Sequence, residues 1–365
     1  MSSKIALLQS NPVVGDIKGN SKIITEMAKL ASENGASFAV TTELAISGYP
    51  PRDLLLQADF VKECHDVASA LQTEIPVLVG TPVPPSSPRS LPGNGVVRAG
   101  DSVREVTRKQ LLPTYDVFDE ARYFEADERP GIARTIAGLD VGVTICEDAW
   151  QHCGATPNDY DSDPIAQIVE WGRQGVILHA TVNLSASPYH SDKSGTRIAV
   201  ARSAAASLNH PFLLANQVGG NDDLLFDGRS IIAWPDGRAV VAPAWTEGVL
   251  ITDLSNPEEC SWLGKGEVII LQPGQDLEET EDDLLDAIII GLSDYCRKSG
   301  ISKIVLGLSG GIDSALAACI ASSAVGPENV TGISMPSKHS SQHSIDDAKA
   351  TADALGINFQ IQPIS

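Results

Sequence analysis

Cys146 follows the apolar run VGVTI at 141–145 and precedes Glu147 and Asp148, which places a thiol where a buried strand would end on a polar surface. A thiol reacts as its thiolate, and a neighbouring cation and base are the usual means of producing one. Lys109 can supply the cation. Glu43, after FAVTT at 38–42, stands at another expected strand end, where a carboxylate can act as general base. Taken singly, each residue is ordinary: a cysteine ending a strand is most often structural, and a lone glutamate or lysine most often solvates a surface.

A second group of residues could bind rather than react. An apolar run at 304–308, Ser309, the pair Gly310-Gly311 and an Ala-rich helical stretch from 313 to 324 would line up successive backbone N–H groups at a helix start, an arrangement that cradles phosphate. The lysine of a Walker-type loop is missing, and so is the glycine spacing of the dinucleotide fingerprint GxGxxG. A Gly-Gly turn before a helix is also a common tight connection.

The elements that must position these residues read as alternating α and β. Apolar runs at 5–8, 38–41, 77–79, 139–146, 176–179 and 212–215 predict buried strands, and amphipathic patterns at 20–33, 165–173 and 195–208 predict helices. Five prolines within 81–92 predict an exposed loop ahead of a strand pair near 95–106. A polar, Asp-rich loop is expected over 151–163. Periodicity weakens over 254–275, a domain junction, and an acidic run at 278–283 opens a helix over 284–298. We therefore divide the chain into domains at 1–270 and 271–365. Beyond 300 the sequence reads as two strands and two helices, the start of a doubly wound sheet and too few elements to cover both its faces.

The 365 residues, 42% apolar and 20% charged, suit a folded protein with two domains. With 26 Lys and Arg against 47 Asp and Glu, the net charge of −21 opposes binding to nucleic acid or to anionic membranes. The six cysteines have no framework spacing, and neither a signal peptide nor a membrane span is visible, so reduced thiols and a cytoplasmic location are expected. His152-Cys153 lacks metal-ligand spacing, His339 and His343, four apart on one possible helical turn, read as exposed polar residues, and Trp171, Trp234, Trp245 and Trp262 read as packing residues.

Three stretches carry a resemblance. TELAISGYPPRDLL at 42–55, RKQLLPTYDVFDEARYF at 108–124 and ICEDAW at 145–150 resemble the glutaminase domain of glutamine-dependent NAD synthetases, within the nitrilase or carbon-nitrogen hydrolase superfamily. NLSASPYH at 183–190 and NQVGGND at 216–222 extend the likeness over nearly all of residues 1–270. The resemblance implies an αββα sandwich and a catalytic triad of Glu43, Lys109 and Cys146. Cys146 would attack the side-chain amide of glutamine, Lys109 would stabilise the oxyanion, and Glu43 would move the protons. It also points to Tyr115, Glu147, Ser187 and Lys193 as glutamine-binding residues.

GLSGGIDS, comprising Gly307, Leu308, Ser309, Gly310, Gly311, Ile312, Asp313 and Ser314, is similar to the pyrophosphate loop of ATP pyrophosphatases, and MPSKHSS at 335–341 to the following NAD synthetase motif. Where that motif usually has Arg-Tyr, this chain has Lys338-His339. The implied partners are ATP with Mg²⁺ near Asp313, glutamine and nicotinic acid adenine dinucleotide, with no prosthetic group. The implied enzyme is a carbon-nitrogen ligase, a glutamine-hydrolysing NAD synthase, that forms homo-oligomers. Because the second domain reads as partial, we expect a truncated chain whose glutaminase half folds while its synthetase half does not turn over. The rival readings are a stand-alone nitrilase-type amidase with a vestigial ATP-binding segment, a different ATP pyrophosphatase, and an ammonia-channelling scaffold.

Overall fold

The computed structural model describes residues 4–157 and 159–364. Its contacts divide the chain into two compact units, residues up to 219 with 226–279, and residues 220–225 with those from 280 on. In chain order the strands up to residue 271 are β1 (Lys4–Gln9), β2 (Phe38–Val40), β3 (Val77–Val83), β4 (Gly93–Ala99), β5 (Arg104–Arg108), β6 (Gly131–Ile136), β7 (Leu139–Ile145) and β8 (Ala180–Ser185). They continue with β9 (Phe212–Asn216), β10 (Val218–Asn221), β11 (Leu224–Asp227), β12 (Ile231–Ala233), β13 (Ala239–Val241), β14 (Gly248–Asp253), β15 (Asn256–Gly264) and β16 (Ile269–Leu271). The helices of this region are α1 (Ile17–Glu33), α2 (Ala58–Ala70), α3 (Pro164–Arg173) and α4 (Lys193–Leu208).

Two seven-stranded sheets result, ordered β15-β14-β1-β2-β3-β4-β5 and β16-β13-β12-β9-β8-β7-β6. Each has a parallel centre, β1-β2-β3 in one and β7-β8-β9 in the other, flanked by antiparallel strands. Alternation along the central strands explains the layering. Ile5 and Leu7 point into a core shared with Val141, Val143, Val182 and Leu184 of the other sheet. Ala6 and Leu8 point the opposite way, against Ile24 and Ala28 of α1 and Cys64 and Ala68 of α2. On the far side, Ile165 and Ile168 of α3 and Ala201 and Ala205 of α4 cover Phe212 and Leu214. Strands buried on both faces must be apolar throughout, which is why these runs were legible, and each fully buried Ile or Leu contributes about 1.5–3 kcal/mol. The layers are those of the expected αββα sandwich.

Three expectations for the first unit are corrected. The run at 176–179 is not a strand: it is the turn after α3, with Ile177 76% exposed, and the strand begins at Ala180. Residues 81–83, assigned to the proline-rich loop, extend β3, where Pro82 pairs with Asn94. β2 pairs with β3 only at Val77 and Leu78, so the missing N–H of Pro82 interrupts no ladder on that side. The junction over 254–275 contains β15 and β16, the outermost strands of the two sheets, and an edge strand needs only one paired side and little apolar alternation.

The second unit has three parallel strands, not two: β17 (Ile304–Gly307), β18 (Val330–Ser334) and β19 (Asn358–Ile361). β19, sequence NFQI, escaped notice because it is a short, largely exposed edge strand. The helices α5 (Glu281–Lys298), α6 (Ile312–Val325) and α7 (Gln342–Leu355) complete the unit around Leu308, Ala318, Val330, Ala348 and Ile357. Thr280 and Asp283 form a capping box at α5, with acids in its first turn and Arg297 and Lys298 in its last, matching the helix dipole at both ends. Among the described residues no helix is long and apolar enough to cross a membrane.

Candidate active site

Parallel strands deliver their C-terminal ends to one rim, and the reactive residues of the first unit stand there. Glu43 lies three residues beyond β2, Lys109 follows β5, Cys146 follows β7, and Ser187 lies two residues past β8. The Glu43 turn is tight against β3: a Cβ on Gly80 would fall 2.3 Å from the Thr42 carbonyl oxygen, so only glycine fits. Cys146 has φ of +44°, unusual for a residue with a side chain, at the start of a short 3-10 turn, Cys146–Ala149.

Lys109 is 0% exposed and lies between two carboxylates. Its Nζ donates to Glu43 Oε1 at 2.8 Å and to both oxygens of Glu120 at 2.8 Å. Asn94 Nδ2 donates to Glu43 Oε1 at 2.7 Å, the Ala186 N–H to Glu43 Oε2 at 3.1 Å, and Tyr49 OH to Glu120 Oε1 at 2.9 Å. Burial alone would push the Lys109 ammonium down, but Glu120 and Glu43 outweigh it and hold it well above the ordinary value. Two carboxylates around one ammonium leave excess negative charge in a site closed to water, and burial raises Glu120 to about 7.

Cys146 is 6% exposed and opens onto a pocket of about 340 Å³ whose wall also includes Tyr115, Glu147, Trp150, Ser187 and Lys193. Burial and the Glu43 carboxylate raise the thiol above its usual range, partly offset by Lys109. At rest the sulfur therefore carries its proton and needs a base to give it up. Tyr115 OH donates to Glu147 Oε1 at 2.7 Å, and Tyr160 OH reaches the same oxygen at 3.2 Å. The Lys193 ammonium sits 5.4 Å from the centre of the Trp150 ring, and burial, with Arg197 nearby, lowers its pKa. Ser187 Oγ and Trp150 Nε1 are buried and make no hydrogen bond among the described residues.

Sequence reasoning missed three contributors. Glu120 was one acid among Asp116, Asp119, Glu125 and Asp127, and nothing in residue type distinguished it. Asp148 accepts backbone N–H bonds from Gln110, Leu111 and Ile145 at 3.0, 2.9 and 2.9 Å, tying the Lys109 segment to the Cys146 turn. Tyr160 lay in the stretch dismissed as a polar loop.

In the second unit, the loop after β17 borders a cavity of about 530 Å³ with Gly307, Leu308, Ser309, Pro336, His339 and Ser344 on its wall. The Leu308 side chain is in the core, so it can offer the cavity only its backbone. Gly310 through Ser314 form the turn and the first residues of α6: Gly311 N donates to Ser309 Oγ at 3.2 Å, and Ser314 Oγ donates to the Gly311 carbonyl at 2.9 Å. Gly310 has φ of +81°, and a Cβ there would lie 2.4 Å from the Ser344 carbonyl oxygen. Ile312 is 84% exposed and Asp313 is exposed beside it. Among the described residues no three His, Cys, Asp or Glu side chains gather to hold a metal.

A carbon-nitrogen hydrolase family model matches residues 4–262, and an NAD synthase model matches residues 284–365. The chain is 40% identical to the glutamine-dependent NAD(+) synthetase of Synechocystis sp., over 99% of its own length and 64% of that protein's. It is 36% identical to the enzyme of the same name from Aquifex aeolicus, over 99% and 65%. It thus spans about two-thirds of the length of these relatives. Among solved structures it is similar to the glutamine-dependent NAD+ synthetase from Acinetobacter baumannii in complex with adenosine diphosphate, with a TM-score of 0.84 at 30% identity, covering 100% of this chain and 65% of that one. An amidase from Nesterenkonia sp. shares the fold of the first unit, with a TM-score of 0.55 at 21% identity over 69% of this chain and 90% of that one. The hydrolase match takes in most of the sequence, the two sheets apart from β16 and the end of β15, and the residues around Lys109 and Cys146, and the chain belongs to the carbon-nitrogen hydrolase family.

Proposed function

We propose that the first unit hydrolyses glutamine to glutamate and ammonia through a thioester on Cys146. The ammonia is the nitrogen source for an ATP-dependent amidation of nicotinic acid adenine dinucleotide, the reaction of a glutamine-dependent NAD synthetase, to which the second unit would contribute its phosphate-binding loop. The observation that carries the reading is Lys109 held between Glu43 and Glu120 behind a sulfur that opens onto a pocket.

The chemistry follows from that arrangement. Glu43 takes the thiol proton as Sγ attacks the amide carbonyl, and the Lys109 ammonium stabilises the oxygen as it becomes negative. Glu43 passes the proton to the leaving nitrogen, the C–N bond breaks, and ammonia departs. Glu43 then deprotonates a water that cleaves the thioester, releasing glutamate and restoring the thiol. Glu120 neutralises Lys109 on its far side and aims it. Opposite charges at Glu147 and Lys193 suit the ammonium and carboxylate of an amino acid, which a plain aliphatic amide lacks, and Ser187 has a hydroxyl free to pair with the substrate.

The backbone of Ser309, Gly310 and Gly311 at the start of α6 suits a pyrophosphate. Mg²⁺ bound to phosphate oxygens keeps several waters and needs only one or two carboxylates, and Asp313 fits that modest requirement. Acid quenching during glutamine turnover, followed by peptide mass spectrometry, tests the glutaminase reading: a γ-glutamyl adduct on Cys146 supports it, and turnover without any adduct on that peptide overturns it.

A further inference from the structure

α4 starts at Lys193 without a side-chain cap of its own. Asp192, just ahead of it, has φ of +66° and caps nothing. The carboxylate that serves this helix start belongs to Glu279, far downstream: Oε2 accepts the Asp192 N–H at 3.2 Å, and Oε1 accepts the Ser194 N–H at 3.2 Å. The two backbone N–H groups flanking Lys193 thus end on one carboxylate, at the positive end of the helix dipole. Behind them runs a buried polar chain. Arg229 Nη1 lies 3.4 Å from Glu279 Oε1 and donates to Ser194 Oγ at 2.8 Å; Ser194 Oγ donates to Asp227 Oδ2 at 3.2 Å, and Asp227 pairs with the fully buried Arg197.

This network fixes the turn from which Lys193 reaches the Trp150 ring and the pocket in front of Cys146. Outside the helix ladder, the Lys193 backbone N–H donates to the His190 carbonyl at 3.2 Å. Glu279 is the last residue of the first unit, and Thr280, the next, caps α5 of the second. Two consecutive residues of the connecting segment therefore each anchor the start of a helix, one in either unit.

We propose that Glu279 is a positioning residue for Lys193, so that the segment joining the two units sets the affinity of the pocket for glutamine. The proposal rests on the reading of Lys193 as the partner of the glutamine carboxylate. A double-mutant cycle on the full chain separates the two: Glu279→Gln, Lys193→Met and both together, with KM and kcat for glutamine hydrolysis and Tm measured for each. The expected result is that Glu279→Gln raises KM about tenfold, the equivalent of roughly 1.4 kcal/mol, with kcat held within about twofold, and adds little in the Lys193→Met background. A fall in Tm with KM unchanged, or the same rise in KM whether or not Lys193 is present, overturns the proposal while leaving the pocket reading intact. An unchanged KM in Lys193→Met overturns the pocket reading and the proposal with it.

Discussion

Asp148 and Leu111 are 37 residues apart in the chain and joined by a 2.9 Å hydrogen bond from the Leu111 N–H to Asp148 Oδ1. The same oxygen accepts the Gln110 N–H, and Oδ2 accepts the N–H of Ile145. One buried carboxylate therefore links the residues just after Lys109 to the residue just before Cys146, and the spacing of amine and sulfur depends on it. Asn in place of Asp keeps one acceptor and turns an NH₂ toward a backbone donor. Asp148→Asn is expected to lower kcat for glutamine hydrolysis about a hundredfold, the cost of a misplacement of roughly 1 Å, with KM changed little because Tyr115, Ser187 and Lys193 are held elsewhere. Steady-state kinetics check this, and a KM effect larger than the kcat effect would contradict it.

Glu120 gives a pH dependence whose sign can be worked out. Burial raises its folded-state pKa to about 7 from an unfolded value near 4.5. Between those values the folded chain keeps a proton that the unfolded chain has lost, so this group's contribution to stability is full below about pH 4.5 and is lost as pH rises through about 7. Glu120→Gln removes that dependence. Thermal denaturation at about pH 5 and about pH 8 should show the Tm of the variant gaining on the wild type at the higher pH; a constant difference would place the titration elsewhere.

Gly310 tests whether the second unit binds phosphate through its loop. An alanine would be forced into the left-handed region, at a cost of about 1–2 kcal/mol, with its Cβ against the Ser344 carbonyl. Gly310→Ala should weaken ATP binding at least about tenfold by calorimetry. Glutamine hydrolysis in the first unit should be unchanged if the loop acts only on the nucleotide.

What could be read in advance divides along physical lines. The central strands and the ends carrying Glu43 and Cys146 were legible because strands buried on both faces must be continuously apolar, and a polar residue immediately after such a run stands out. β15, β16 and β19 were not, since an edge strand needs little apolar patterning. Glu120 and Asp148 were invisible for a different reason. Their significance lies in desolvation and in hydrogen bonds closed across long stretches of chain, with Tyr49 in one case and with residues 110–111 in the other. A buried acid has the same letter as an exposed one.

Whether Cys146 is the nucleophile can be asked directly by following ammonia release from glutamine by the full chain and by Cys146→Ala. The thiol occupies little volume and the alanine variant should stay folded by circular dichroism. The expected result is steady ammonia release by the wild type and none above the uncatalysed background by the variant. Release at a comparable rate from a folded Cys146→Ala protein would contradict the account at its centre.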